Sequence, residues 1–198
     1  TIGFVDVPGH ERFLRNMLAG VAGLDAALLV VAADDGLMPQ TYQHLAVLSI
    51  MGVETVVVAL TKCDLVTYIR IENVTRAIKK CLSATTLAES NVIPVSTVSG
   101  FGIEKLRTEI RALSADFRPR SSVGNFRMTI DRAFQMHGTG LVVTGTVSSG
   151  TVSNGDRLKL MPSGQEVRVR TIHAQNEVSH KGTAGQRLGL NVTGTKLD

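Results

Sequence analysis

Apolar residues recur along this chain in two rhythms, and one gives way to the other near residue 120. In the first part, short continuous apolar runs alternate with stripes of helical period. Ile2-Gly3-Phe4-Val5 ends in Asp6 and reads as a buried strand whose exit loop, Val7-Pro8-Gly9-His10, holds a charged ligand. Phe13, Leu14, Met17, Leu18 and Val21 then mark one face of a helix. Asp25–Ala33 predicts a strand buried on both faces, 41–51 a helix after Pro39, and Val53–Leu60 a second buried strand. A helix striped by Ile71, Val74, Ile78 and Leu82 follows, then a strand over Asn91–Val95, then a last helix striped by Ile103, Leu106, Ile110 and Leu113. This alternation predicts a doubly wound α/β unit with a parallel sheet and ligands at the carboxyl ends of its strands.

Periodicity stops at the polar, proline-containing stretch after Ala115. Beyond it the runs Asn125–Phe134, Gly140–Val147, Arg157–Met161, Glu166–His173 and Gln186–Val192 are separated by glycine turns, which predicts a small antiparallel β-barrel. The expected organisation is α/β followed by all-β: residues 1–116, a linker at 117–123, and a barrel at 124–198 that the chain's end leaves incomplete.

Composition narrows the function classes. The chain has 198 residues, 43% of them hydrophobic, enough for two small cores. Its longest apolar run, Ala26 to Ala33, is too short to cross a bilayer, so no membrane partner is expected. Two cysteines make no disulfide framework, and no Cys/His cluster has metal-ligand spacing, which fits a reducing, cytoplasmic setting. The net charge of +4 sits entirely beyond residue 121: 12 Lys/Arg against 12 Asp/Glu up to there, 9 against 5 after it. That asymmetry suits a polyanion at the barrel, although a solvated basic surface accounts for it equally well. The chain opens without Met inside an expected strand, and the natural reading is a fragment.

Two strand-end loops carry the chemistry. Asp6 suits the hydration shell of Mg²⁺, Gly9 lets a backbone N–H approach a terminal phosphate, and His10 stands where an imidazole can orient an attacking water. In Thr61-Lys62-Cys63-Asp64, a carboxylate can accept from guanine's ring N–H and exocyclic NH₂ together, and the lysine stem can lie along the base. Ser96, after the next strand, offers a loop backbone to the guanine carbonyl. Either motif alone also fits an ordinary strand-to-helix turn; their order in one sheet strengthens both.

With these residues in hand the chain resembles the translational GTPases of the elongation factor Tu superfamily over nearly its whole length. Within it, Arg12-Phe13-Leu14-Arg15-Asn16-Met17-Leu18, Thr61 in place of the usual Asn, Ile130-Asp131-Arg132-Ala133-Phe134 and Gly138–Thr146 resemble the selenocysteine-specific, SelB-type members. The resemblance implies GTP/GDP and Mg²⁺ as ligands: Asp6 for the metal through water, Pro8 and Gly9 at the γ-phosphate, His10 as the catalytic residue, and Thr61, Lys62, Asp64 and Ser96 at the base. It further implies a selenocysteine pocket of Asp131, Arg132 and Arg187, with His173 a weaker candidate; a selenol ionises more readily than a hydroxyl, and guanidiniums favour the anion. Selenocysteinyl-tRNA, the ribosome and, through other domains, a selenoprotein mRNA hairpin are the implied partners of a monomeric cytoplasmic factor. No phosphate-cradling G-x-x-x-x-G-K-[ST] loop occurs in the sequence, so this stretch by itself is expected to hold GTP poorly. The alternatives are a factor delivering ordinary aminoacyl- or initiator tRNA and a nucleotide-blind RNA-binding fragment. A metal-dependent hydrolase built on His10 is the remotest, since no other His lies at ligand spacing.

Overall fold

A computed structural model describes residues 2–7, 9, 17–18, 23–116, 120–175 and 177–194. Backbone contacts divide the chain into two compact units, one built on Leu24–Phe117 and the other on Arg118–Asp198, the latter taking in residues 2–7.

In the α/β unit, β1 (Ala27–Ala32), β2 (Val56–Thr61) and β3 (Asn91–Pro94) form a parallel sheet in that order. β2 is central, and Val56, Val57, Val58, Ala59 and Leu60 are all buried, the continuous apolar strand expected of a sheet covered on both faces. β1 departs from that expectation: Leu29 and Val31 are buried, whereas Leu28 and Val30 on its other face are exposed.

Three of the described helices connect and cover the sheet. Pro39 opens α1 (Pro39–Ile50), where the Thr41 hydroxyl accepts the Met38 N–H at 3.2 Å. Thr67 caps α2 (Tyr68–Leu82), which buries Val74, Ile78 and Leu82 at helical spacing. α3 (Ile103–Asp116) lays Ile103, Leu106 and Leu113 on Val57, Ala59, Ile93 and Val95.

The expected first strand is not formed. Residues 2–7 have no strand pairing, and Ile2 and Phe4 are exposed, Phe4 at 72%. An extended segment gains ladder hydrogen bonds only against a neighbouring edge, and the sheet begins at β1. The expected helix around 13–21 lies largely outside the described residues; Met17 and Leu18 are helical, with Met17 buried.

The second unit is all-β. β4 (Arg127–Met136), β5 (Gly140–Ser149), β7 (Arg157–Leu160), β8 (Gln165–Ala174) and β11 (Arg187–Thr193) pair in the order β4-β5-β11-β8-β7. β9 (Glu177–Ser179) adds to β8, and β6 (Thr151–Ser153) pairs β10 (Lys181–Thr183) apart. The three-residue strands carry no alternation long enough to read from sequence. Strict alternation on β5 buries Leu141, Val143 and Val147 against Val167, Val169, Ile172, Leu188 and Leu190, and turns Thr144 and Thr146 to the outer face. Opposite Gly145 the ladder between β4 and β5 shifts register, and a side chain at 145 would run into the Thr129 carbonyl. That shift re-aims Asp131.

Candidate functional sites

The carboxyl ends of β2 and β3 carry the first site. The two strands stay in register to their last residues, Leu60 opposite Pro94, and hydrogen bonds continue past the ladder: Val95 N–H to Leu60 O at 2.8 Å and Cys63 N–H to Val95 O at 3.2 Å. The 61–64 loop and the 96–101 loop are therefore fastened side by side. Thr61, half-buried, donates its hydroxyl to Val31 O at 3.4 Å and so ties β2 to β1. Lys62 adopts a left-handed backbone (φ 57°), which turns the chain into the single 3-10 turn Cys63–Leu65. Cys63 is buried, with its thiol on Leu60 O at 3.1 Å, and burial pushes the thiol's pKa up.

Asp64 projects from this turn, exposed and with no intramolecular partner for its carboxylate. Ser96 is 1% exposed, and its role is more internal than the sequence suggested. Its N–H is taken by Phe101 O at 2.9 Å and its hydroxyl accepts the Ser99 N–H at 3.1 Å. The first loop N–H without a partner is that of Thr97. An open carboxylate and an open amide at adjacent strand ends are what a guanine edge requires: an acceptor for its two donors and a donor for its carbonyl.

Lys62 is engaged. Its Nζ donates to Asp34 Oδ2 at 2.8 Å and stands 3.9 Å from Asp35 Oδ2, both in the loop after β1. That hydrogen bond lowers the Asp34 pKa and raises that of Lys62. Arg70 on α2 donates to Ala33 O at 3.1 Å and, through Nη2, to Asp34 O and Asp35 O at 3.0 and 3.3 Å. Sequence reading passed over both: Asp34 at least follows a strand, but an arginine in the first turn of a helix gives no signal.

Of the phosphate-side residues, Pro8 and His10 lie outside the described residues. Gly9 O accepts from His44 Nε2 of α1 at 3.1 Å, a contact that the sequence did not announce. Asp6 is exposed, has no intramolecular partner and does not end a strand, since residues 2–7 join no ladder. Among the described residues no group of three or more His, Cys, Asp or Glu could hold a metal ion. Mg²⁺ binds through one or two carboxylates, water and phosphate, so an open Asp6 fits the chemistry of that ion.

The second site is on the outer face of the β unit. Arg187 grips Asp131 with both nitrogens of its fork: Nη1 on Oδ2, and Nη2 on Oδ1 at 3.0 Å. Thr144, missed in the sequence, donates to the same Oδ1 at 2.8 Å. The Asp131 side chain is 10% exposed and that of Arg187 40%. Arg132 stands opposite Thr144 across β4 and β5; it is exposed and has no side-chain partner among the described residues. Gly189 pairs both Thr144 and His173, so the strand between them presents no side chain there. The structure therefore joins Asp131 to Arg187 and leaves Arg132 as the uncompensated cation beside them.

Both units have counterparts among known proteins. The family described as Elongation factor Tu GTP binding domain matches residues 1–116. This chain belongs to that family. Elongation factor Tu domain 2 matches residues 140–198. A selenocysteine-specific elongation factor of Escherichia coli K12 is 48% identical over 97% of this chain, and one of Desulfomicrobium baculatum 40% identical over 99%. The chain spans 31% of the length of each. The structure of elongation factor SelB from Methanococcus maripaludis in complex with the GTP analogue GppNHp is similar over 96% of this chain and 42% of its own (TM-score 0.88, 33% identity). A bacterial selenocysteine-specific factor, EF-Sec, gives 0.87 at 32% identity over 96% of this chain and 33% of its own. These likenesses agree with the expected fold class, an α/β GTPase-type unit followed by a β-barrel-type unit. No described helix is long and apolar enough to cross a membrane.

Proposed function

We propose that the protein containing this chain is a GTP-hydrolysing, selenocysteine-specific elongation factor that acts in the cytoplasm as a monomer. The observation that carries the nucleotide half is the pair of unpartnered groups at adjacent strand ends, the Asp64 carboxylate and the Thr97 N–H. Asp64 accepts guanine's two donors, Thr97 donates to its carbonyl, Thr61 and Ser96 hold the two loops, and Lys62 lies along the base. Asp6 holds Mg²⁺ through water; the ion neutralises phosphate charge when bound. Gly9 offers its N–H to the γ-phosphate, flanked by Pro8, and His10 orients the attacking water. The domain division proposed for this activity is 1–116, 117–123 and 124–198.

The outer face around Gly189 is the proposed contact for the selenocysteinyl end of a tRNA. Arg187 is already neutralised by Asp131, so the charge that favours a selenolate over a hydroxyl is that of Arg132, with the Asp131–Arg187 pair fixing the pocket wall. Ribosome binding and, through other domains, recognition of a selenoprotein mRNA hairpin complete this reading. Arg132→Ala in the longer protein is expected to weaken selenocysteinyl-tRNA binding by about tenfold, the worth of one partly exposed charge contact of ~1.4 kcal/mol. Seryl-tRNA binding should change little. Competition binding with the two tRNAs is the measurement. Equal affinity of the unaltered protein for both would overturn the selenolate pocket and favour a factor for ordinary aminoacyl-tRNA.

A further inference from the structure

The base-site lysine is held by groups outside its own motif. Residues 33–35 direct three successive carbonyls at one guanidinium, that of Arg70 in the first turn of α2. The loop accommodates it closely: Gly36 has φ +81°, and a side chain there would bring its Cβ within 3.2 Å of Arg70 Nη2. Gly36 N–H returns to Ala32 O at 2.8 Å, so the loop is closed at β1 and fastened at α2. Asp34 is the residue at the centre of that loop. Its backbone accepts from Arg70, and its side chain accepts Lys62 Nζ at 2.8 Å. One arginine thus fixes the backbone from which the lysine's anchor projects.

We infer that Arg70 is a positioning residue for Lys62, acting through the carbonyls of residues 33–35 and the Asp34 carboxylate. The inference rests on the reading above that Lys62 lies against a guanine base. Its physical basis is pre-organisation. The backbone of Lys62 is set by its left-handed turn, which leaves the direction of a four-carbon stem undetermined, and a free lysine side chain loses rotamer freedom when it is laid along a ligand. An anchor at Nζ removes that freedom before the ligand arrives, so less affinity is lost to ordering the side chain on binding. Asp35, at 3.9 Å, is a weaker second anchor.

Titration of fluorescent GDP against the longer protein tests this in a double-mutant cycle of Arg70→Ala and Lys62→Ala. Arg70→Ala is expected to weaken GDP binding about three- to tenfold and to have no further effect in the Lys62→Ala background; Asp34→Asn should reproduce the Arg70→Ala loss. The same loss from Arg70→Ala with or without Lys62 would show that the arginine serves the fold alone and overturn the inference. So would unchanged affinity in Arg70→Ala where Lys62→Ala weakens binding. If Lys62→Ala leaves GDP binding intact, the base-site reading fails first and takes the inference with it. Should Arg70→Ala not fold, Arg70→Lys takes its place in the cycle; it keeps the charge but cannot span three carbonyls, and a partial loss that vanishes without Lys62 is the supporting result.

Discussion

Asp64→Asn is expected to cost the longer protein about two to four orders of magnitude in affinity for GDP and GTP, while raising its affinity for xanthosine diphosphate. The carboxylate is open to solvent and to ligand, and the turn that presents it is fixed from beneath by Cys63, through its N–H on Val95 O and its thiol on Leu60 O. Asparagine keeps the size and the turn but replaces one acceptor with a donor. A guanine edge then meets one hydrogen bond and one donor-donor clash. A charge-assisted hydrogen bond is worth about 1.5–3 kcal/mol; one becomes a clash between donors and the other loses its charge, which together account for the expected loss. Xanthine carries a carbonyl where guanine has its amine, so the new NH₂ finds an acceptor. Competition of the two nucleotides against a fluorescent guanine nucleotide reads both effects. Undiminished guanine binding would mean that the base is held elsewhere.

The second large effect is on stability. Gly102 has φ +72°, and a side chain there would press on the Pro94 carbonyl, the last residue of β3, with Val95 Cγ1 3.2 Å away. Alanine at this position combines a left-handed backbone, costing about 1–2 kcal/mol, with overpacking of about 1–3 kcal/mol. Gly102→Ala is therefore expected to destabilise the α/β unit by about 2–5 kcal/mol. The long described helices, α1, α2 and α3, all belong to that unit, so urea unfolding followed by helical circular dichroism isolates it. The same change displaces the 96–101 loop, whose Ser96 N–H depends on Phe101 O, and weakened GDP binding should accompany the stability loss. A melt that matches the unaltered chain would show that the Pro94 carbonyl yields at no cost.

How legible each part was follows from how local its cause is. The helices after residue 38 and the strands β2 and β3 were readable because their apolar spacing and burial coincide: Val74, Ile78 and Leu82 on α2, five consecutive buried residues on β2. The segment 2–7 was misread because an apolar run states a tendency to pair, and pairing needs an edge that no local pattern supplies. In the site, Lys62 and Asp64 were readable as chemistry, but their difference in state was not. Asp34 lies 28 positions before Lys62 in sequence, and only the parallel pairing of β1 with β2 brings their loops together. Ser96 illustrates the converse: it follows the strand as expected, but its N–H and hydroxyl belong to the loop itself. On the β unit, Asp131 and Arg187 were singled out together, yet that they neutralise each other depends on the register shift opposite Gly145, which no periodicity reveals.

The adjacency of β2 and β3 has a consequence for the order in which the chain is made. The β2–β3 ladder ends at Leu60 opposite Pro94, with one more hydrogen bond from Val95, and the helix between the two strands, α2, is a single local crossover. About 100 residues separate Ser96 from Thr193 at the end of β11, which at a synthesis rate of about 5–20 residues per second leaves roughly 5–20 s before that strand is available. Helices and hydrophobic contacts form in microseconds. The two strand-end loops proposed to hold the base can thus pair while the β unit is still being translated, and Gly102 and α3, which close over β2 and β3, are the next segments to emerge.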